Sequence, residues 1–250
     1  MSGVSFASDS RPTGKIISWD IGTKHLCYCL MDEKEIYGWE IINLTGGDND
    51  NETKEDVVTK DKKSRKKAKK RKKAKTTPAD ILALHKTMCV KLDARPEVLD
   101  GVHTVIIENQ MMTNQKMKTV AAALYQYYVI RGMVDAVKNT SEPCGTLQNI
   151  VYIRPTEKMK VYDGEPMVCP RKTKQNKWLA IEHCRYVLNK RQTEYVGGGN
   201  VDDCGNGGDG ACHKRWIALF AASKKKDDLA DSYLSGLAYL KKHQHQNKKH

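Results

Sequence analysis

No segment of this 250-residue chain approaches the roughly 18 consecutive apolar residues that a membrane-spanning helix requires. The first 14 residues, MSGVSFASDSRPTG, have no apolar stretch of signal-peptide type, so no secretory leader is expected there. The eight cysteines include no paired CxxC, the spacing on which structural zinc sites are built. Several of them sit inside apolar runs, as reduced and buried thiols do, which points to an intracellular, reducing compartment. No Ser-His-Asp or Cys-His constellation stands out, so acyl transfer through a nucleophile is not suggested. Hydrophobic residues make up only 39% of the chain, lean for a globular protein, but a lysine-rich tract and a polar tail account for much of the deficit.

The charge is as uneven as the hydrophobicity. Of a formal +13, the tract Lys60–Lys75 carries +11 and the tail Lys241–His250 a further +4, so the remainder is close to neutral. Such a run is ordinarily a solvated segment, and it suits polyanions because phosphate neutralisation releases counterions. A nuclear-localisation role fits the same residues.

Three strand-like runs open the ordered part: Lys15–Asp20, Leu26–Met31 and Glu35–Ile42, joined by short turns into a meander. Gly46–Thr77 reads as a disordered, lysine-rich insertion. Order resumes at Pro78, and Ile81, Leu84, Met88 and Leu92 recur at helical spacing. Val102–Glu108 is a further buried strand, Thr113–Val137 a long helix, and Ile150–Arg154 a strand stopped by Pro155. Helices are expected over Arg171–Asn189, near Lys214–Ala222 and over Asp227–Leu240. The order implies an α/β fold with a mixed sheet, an antiparallel meander plus parallel strands, flanked by helices. One domain over residues 15–241 is expected, with a flexible start at 1–14 and a basic flexible tail at 242–250.

Two different buried strands end in an acid, Asp20 and Glu108, where α/β sheets place functional groups. A third acidic group, Asp227-Asp228-Leu229-Ala230-Asp231, opens the last helix, and Asp228 and Asp231 share one face of its first turn. Any one of these is unremarkable, since acids at helix N-termini are favoured by the macrodipole. Together they are the ingredients of a cation site. Clustered carboxylates raise one another's pKa unless cations neutralise them, and hard oxygen ligands select Mg²⁺ or Mn²⁺. Two such ions roughly 3.5–4 Å apart clamp the attacking and leaving oxygens of a phosphodiester.

The arrangement IISWDIGTKHLCYCL, then VIIENQ, then KKKDDLADSYL resembles the RuvC-type Holliday-junction resolvases of the RNase H-like superfamily, in particular their poxvirus and mitochondrial branch. The similarity spans about 15–45 and 78–241 and leaves the insertion out. It implies an RNase H-like fold, a homodimer, and paired symmetric nicks in four-way DNA junctions by a metal-activated water. It also implies that Asp20, Glu108, Asp228 and Asp231 are the catalytic metal ligands for two ions per site, with Asp20 bridging them and Asp227 a cap. A nuclear or cytoplasmic viral replication site is the location it implies.

Basic residues outside the tract are candidates for phosphate contact: Lys172, Lys174 and Lys177 around one helix start, Lys224, Lys225 and Lys226 before the last helix, and Arg154 after its strand. Asn109 and Gln110, just past Glu108, are candidates for orienting substrate. The long helix offers Tyr125, Tyr127 and Tyr128 as a dimer element, although Leu124 and Tyr128 are better suited to the core. Competing readings are an RNase H-like nuclease acting on RNA–DNA hybrid or in strand transfer, an actin-like ATPase or kinase suggested by Asp20-Ile21-Gly22-Thr23, and a non-enzymatic nucleic-acid binder using the lysine tract alone.

Overall fold

The computed structural model describes residues 14–45, 77–110, 114–136, 147–170, 175–197 and 209–247. The lysine tract, residues 1–13, residues 198–208, Lys172 and Lys174 therefore lie outside the described residues. Strands β1 (Lys15–Asp20), β2 (His25–Met31) and β3 (Ile36–Asn43) form the expected meander, followed by α1 (Pro78–Asp93), β4 (Val102–Glu108), α2 (Gln115–Tyr128), β5 (Asn149–Ile153), α3 (Gln175–Gly197), α4 (Asp209–Ala222) and α5 (Lys226–Asn247). The sheet order is β3-β2-β1-β4-β5. β1 pairs antiparallel with β2, and β2 with β3, whereas β1–β4 and β4–β5 are parallel. This is the expected mixed sheet, an antiparallel meander plus parallel strands, flanked by helices.

Strand alternation sorts the core into two layers. Ile17, Trp19, Leu26, Tyr28, Val105 and Ile107 face α1 and α2, while Ile16, Cys27, Cys29, Trp39 and Ile106 face α3, α4 and α5. Each fully buried Ile or Leu contributes roughly 1.5–3 kcal/mol. α1 starts at a capping box in which the Thr77 hydroxyl accepts from the Asp80 amide (3.2 Å) and the Asp80 carboxylate accepts from the Thr77 amide (2.8 Å). Trp19 Nε1 donates to the Tyr128 hydroxyl (3.0 Å), which in turn donates to the Val98 carbonyl (3.1 Å), locking α2 onto the first layer.

The helix expected over Thr113–Val137 is regular only to Tyr128 and continues as a π-helical turn, Val129–Val134. That stretch contains Val129, Ile130 and Gly132, all weaker helix formers than Leu or Ala. At Gly132 the backbone lies so close to Leu147 that an added Cβ would stand 2.5 Å from its Cδ2. Of the three tyrosines considered for a dimer surface, Tyr127 and Tyr128 are buried, and Tyr125 stands partly exposed and stacked on Tyr152 of β5, with ring centroids 6.0 Å apart.

α5 positions the site, and Gly236 lets it lie close to the sheet. A Cβ there would meet Met31 Cε at 2.7 Å and Ser18 Cβ at 3.2 Å. The Met31 tip can yield, but Ser18 belongs to the central strand. Gly236→Val is therefore expected to cost about 1–3 kcal/mol through overpacking. Urea denaturation checks this, and an unchanged midpoint would mean that the helix does not need this approach.

Candidate active site

Asp20 closes β1, and alternation puts its side chain on the α5 face with Ile16 and Ser18. Glu108 closes β4. Because β1 and β4 run parallel, with Trp19 opposite Ile107, both acids emerge at the same edge of the sheet on neighbouring strands. α5 crosses that face and brings Asp231 to them. One carboxylate oxygen from each of Asp20, Glu108 and Asp231 lies within 4.8 Å of the others. Three separate segments thus deliver one acidic cluster.

The rotation of α5 is set by contacts with the sheet. Trp39 Nε1 on β3 donates to the Leu229 carbonyl (3.1 Å) and to Ser232 Oγ (3.2 Å), and Cys27 Sγ lies 3.4 Å from the same hydroxyl. Trp39 is itself stacked on Phe220 of α4, with centroids 5.6 Å apart. These contacts bracket Asp231 in sequence and turn it inward. Asp228 stands outside the three-residue group; the charges it feels are Asp227, Lys225, Lys177 and His25.

The site also contains a residue that the sequence alone did not single out. After β5, Pro155 and a 3-10 turn over Glu157–Val161 bring Lys158 into the cluster. Its ammonium donates to Glu108 Oε1 (3.2 Å) and pairs with Asp231 Oδ2 (2.9 Å). The Lys158 side chain is only 12% exposed. Desolvation works against its charge, but Asp231 and Glu108 outweigh it and raise its pKa. Lys158 went unnoticed because it is one lysine among many in a segment without periodicity. The signal that could have found it is its place just beyond a Pro-stopped strand that neighbours Glu108.

Burial pushes the Asp20 carboxyl well above its usual range, and the charges of Glu108 and Asp231 push the same way, with Lys158 opposing. Burial likewise lifts Asp231 to about 6, against Lys158, with Glu108 adding to the rise. Burial and Asp227 raise Asp228. Burial opposes ionisation of Asp227 too, but its hydrogen bond with Lys177 and the charge of that ammonium hold it below the ordinary value. Asp227 is thus tied to Lys177 at the entrance of α5.

A divalent cation fits this donor set. All the donors are hard carboxylate oxygens, and Asp231 Oδ1 is buried with no hydrogen-bond partner. A cation at that oxygen requires the ionised acid, which gives a pH signature. The folded protein holds the Asp231 proton more tightly than the unfolded chain (about 6 against 3.8). Its contribution to stability is therefore complete below the lower value and is lost as the pH rises through the higher one. The rise in Tm on adding Mg²⁺ is accordingly expected to be small near about pH 4.5 and to reach its full size above about pH 7. Thermal melts across this range, in Mg²⁺ and in EDTA, measure it. A shift independent of pH would place the cation elsewhere.

The other candidates divide. Gln110 and Lys177 line a cavity of about 670 Å³ that also includes Glu108, Lys158 and Asp231. Gln110 Nε2 donates to the Glu108 carbonyl (3.1 Å), and the Asn109 amide donates to the Ile153 carbonyl (2.8 Å), so the segment after Glu108 is held against β5. Arg154 lines a separate cavity of about 330 Å³ with Lys242 and His243. Lys224 and Lys225 are exposed ahead of α5, whereas Lys226 Nζ donates to the Ser223 carbonyl (2.9 Å).

No family model matches the chain. An uncharacterised protein of Acanthamoeba polyphaga mimivirus, L451, is 30% identical over 148 residues, or 56% of this chain, which spans only 29% of that relative's length. Among solved structures, the chain is similar to the yeast mitochondrial Holliday junction resolvase Ydc2, with a TM-score of 0.46 and 16% identity over 95% of this chain and 86% of that one. It is also similar to Thermus thermophilus RuvC, with a TM-score of 0.44 and 9% identity over 92% of this chain and 96% of that one. At these scores and identities neither overlay carries a residue role to this chain.

Proposed function

We propose that this chain is a divalent-metal-dependent endonuclease that cuts branched DNA, with four-way junctions resolved by paired nicks. The observation that carries the reading is the convergence of Asp20, Glu108 and Asp231 from two parallel strand ends and one helix, with a buried carboxylate oxygen left unpartnered. The order of the acidic motifs along the chain and the basic tract support DNA as the polyanion.

Asp20, Glu108 and Asp231 would hold the metal, Mg²⁺ or Mn²⁺, with Asp228 as a further ligand on the flank. Bound there, such ions supply a Lewis acid against the phosphodiester and a hydroxide at neutral pH. The protein's own groups do the rest. The carboxylates fix the direction from which the phosphate is approached. Lys158, whose ammonium neutralises the cluster in this structure, sits on a flexible stem from which it donates to a non-bridging phosphate oxygen and offsets charge that develops there. Lys177, tied to Asp227 beside the cavity, is placed to meet the neighbouring phosphate. Symmetric nicks need two such sites, hence a dimer of this chain.

The test is incubation of the purified protein with a synthetic four-way junction, linear duplex and RNA–DNA hybrid of matching sequence, each with Mg²⁺ or EDTA. Mg²⁺-dependent paired nicks in the junction, with linear duplex cut far more slowly, are expected. Preference for the hybrid would move the substrate to RNA, and cutting in EDTA would end the metal mechanism.

A further inference from the structure

The cavity beside the carboxylates is larger, and chemically more mixed, than a phosphate site requires. Its volume of about 670 Å³ lies within the roughly 300–1,000 Å³ of small-ligand pockets. Phosphate is met by cations and N–H donors, and Lys158 and Lys177 supply the cations here. Yet the same cavity is lined by Met117, Met159 and Pro155. Thioethers and a prolyl ring offer soft, polarisable surface to a flat ring, not to an anion. Two side-chain amides, Gln110 and Asn176, complete the contrast. An amide carries both a donor and an acceptor, the pair that reads the edge of a base. Gln110 is already oriented, since its Nε2 donates to the Glu108 carbonyl (3.1 Å).

Resting on the nuclease reading above, we infer that this cavity receives an unstacked nucleobase of the strand being cut, from the nucleotide next to the scissile phosphate. Glu108 and Asp231 line the same cavity as Met117 and Met159, so the base adjoining a phosphate held at the carboxylates faces the methionines. Stacked and paired in a duplex, that base shows neither its faces nor its Watson–Crick edge. Drawing it out costs a few kcal/mol in continuous duplex and least where stacking is already broken. The cavity is therefore a device for choosing branch points over linear DNA, and its amides give the cut a base preference.

The experiment uses the full chain and a four-way junction in which 2-aminopurine replaces single bases at successive positions across the cut, bound in Ca²⁺ so that hydrolysis is suppressed. Emission is expected to rise several-fold at one position flanking the cut and to stay low in the arms. In Met159→Ala and Asn176→Ala the rise at that position should shrink, and cleavage rates should lose about tenfold of their spread among the four bases there, as expected when contacts to a single base are lost. Low emission at every flanking position in wild-type protein that still nicks the junction in Mg²⁺ overturns the cavity assignment and leaves the nuclease reading standing. A rise that both variants retain in full moves the base to another surface. Failure of the wild type to cut any DNA overturns both.

Discussion

Asp20→Asn is expected to reduce Mg²⁺-dependent cleavage by at least on the order of 10³-fold while raising the Tm of the metal-free protein. Both effects come from one change. The Asp20 carboxyl is buried beside Glu108 and Asp231, and that environment opposes its charge so strongly that its pKa is driven far up. Asparagine has nearly the same shape and no charge, so it relieves the repulsion and fills the space. Removal of a strained functional group of this kind commonly stabilises a protein by about 0.5–2 kcal/mol. The same neutral amide is a poor ligand for a hard cation, so the metal-induced Tm shift should shrink along with activity. Junction affinity, which depends on lysines elsewhere, should hold within about threefold. The three readouts separate causes. Activity lost with a lowered Tm would mean a folding defect, and activity retained would remove Asp20 from the chemistry.

Lys158→Met is expected to destabilise the metal-free protein at alkaline pH by about 3–5 kcal/mol, because loss of one partner of a buried ion pair leaves the other charges uncompensated. Lys158 is bonded to two acids at once, Glu108 (3.2 Å) and Asp231 (2.9 Å), and none of the three is well solvated. Lowering the pH lets the acids take up protons and should recover much of the loss. So should Mg²⁺ or Ca²⁺, which ought to bind this variant more tightly than wild type because no ammonium competes for the oxygens. Cleavage at saturating Mg²⁺ should nevertheless fall about 10²-fold if the ammonium serves the phosphate. Wild-type cleavage with reduced metal-free stability would confine Lys158 to a placeholder for the ion. Chemical denaturation with and without metal, paired with single-turnover rates, gives both answers.

The sheet and its acidic strand ends were legible because they depend on local pattern. An apolar run stopped by Asp20, and another stopped by Glu108, announce buried strands with a functional end, and the helices on both faces follow from the spacing between them. Less could be read about α5. Asp228 and Asp231 are neighbours on one helix face, so their spacing gives no reason to favour either. The choice belongs to Trp39, which fixes the Leu229 carbonyl from 190 residues away, and to the bare backbone at Gly236. Lys158 was hidden for a related reason. Its role comes from the parallel pairing of β5 with β4 and a short turn, neither of which leaves a periodic trace in Glu157–Val161. The change from α to π winding after Tyr128 reflects close packing on Leu147, again a distant contact.

The direction of β3 has a further consequence. It runs the same way as β1, with β2 reversed between them, so the chain leaves the sheet after Asn43 at the edge where Asp20 and Glu108 end. The Leu44 amide fastens that exit by donating to the Lys24 carbonyl (2.7 Å). The segment that carries the twelve Lys and Arg residues of 60–75 therefore follows in sequence from the end of the sheet where Asp20 and Glu108 lie, and not from its far end. On the nuclease reading, a nucleic acid held by those residues meets the carboxylates within one complex, at an effective concentration set by the number of residues between them instead of by its abundance in solution.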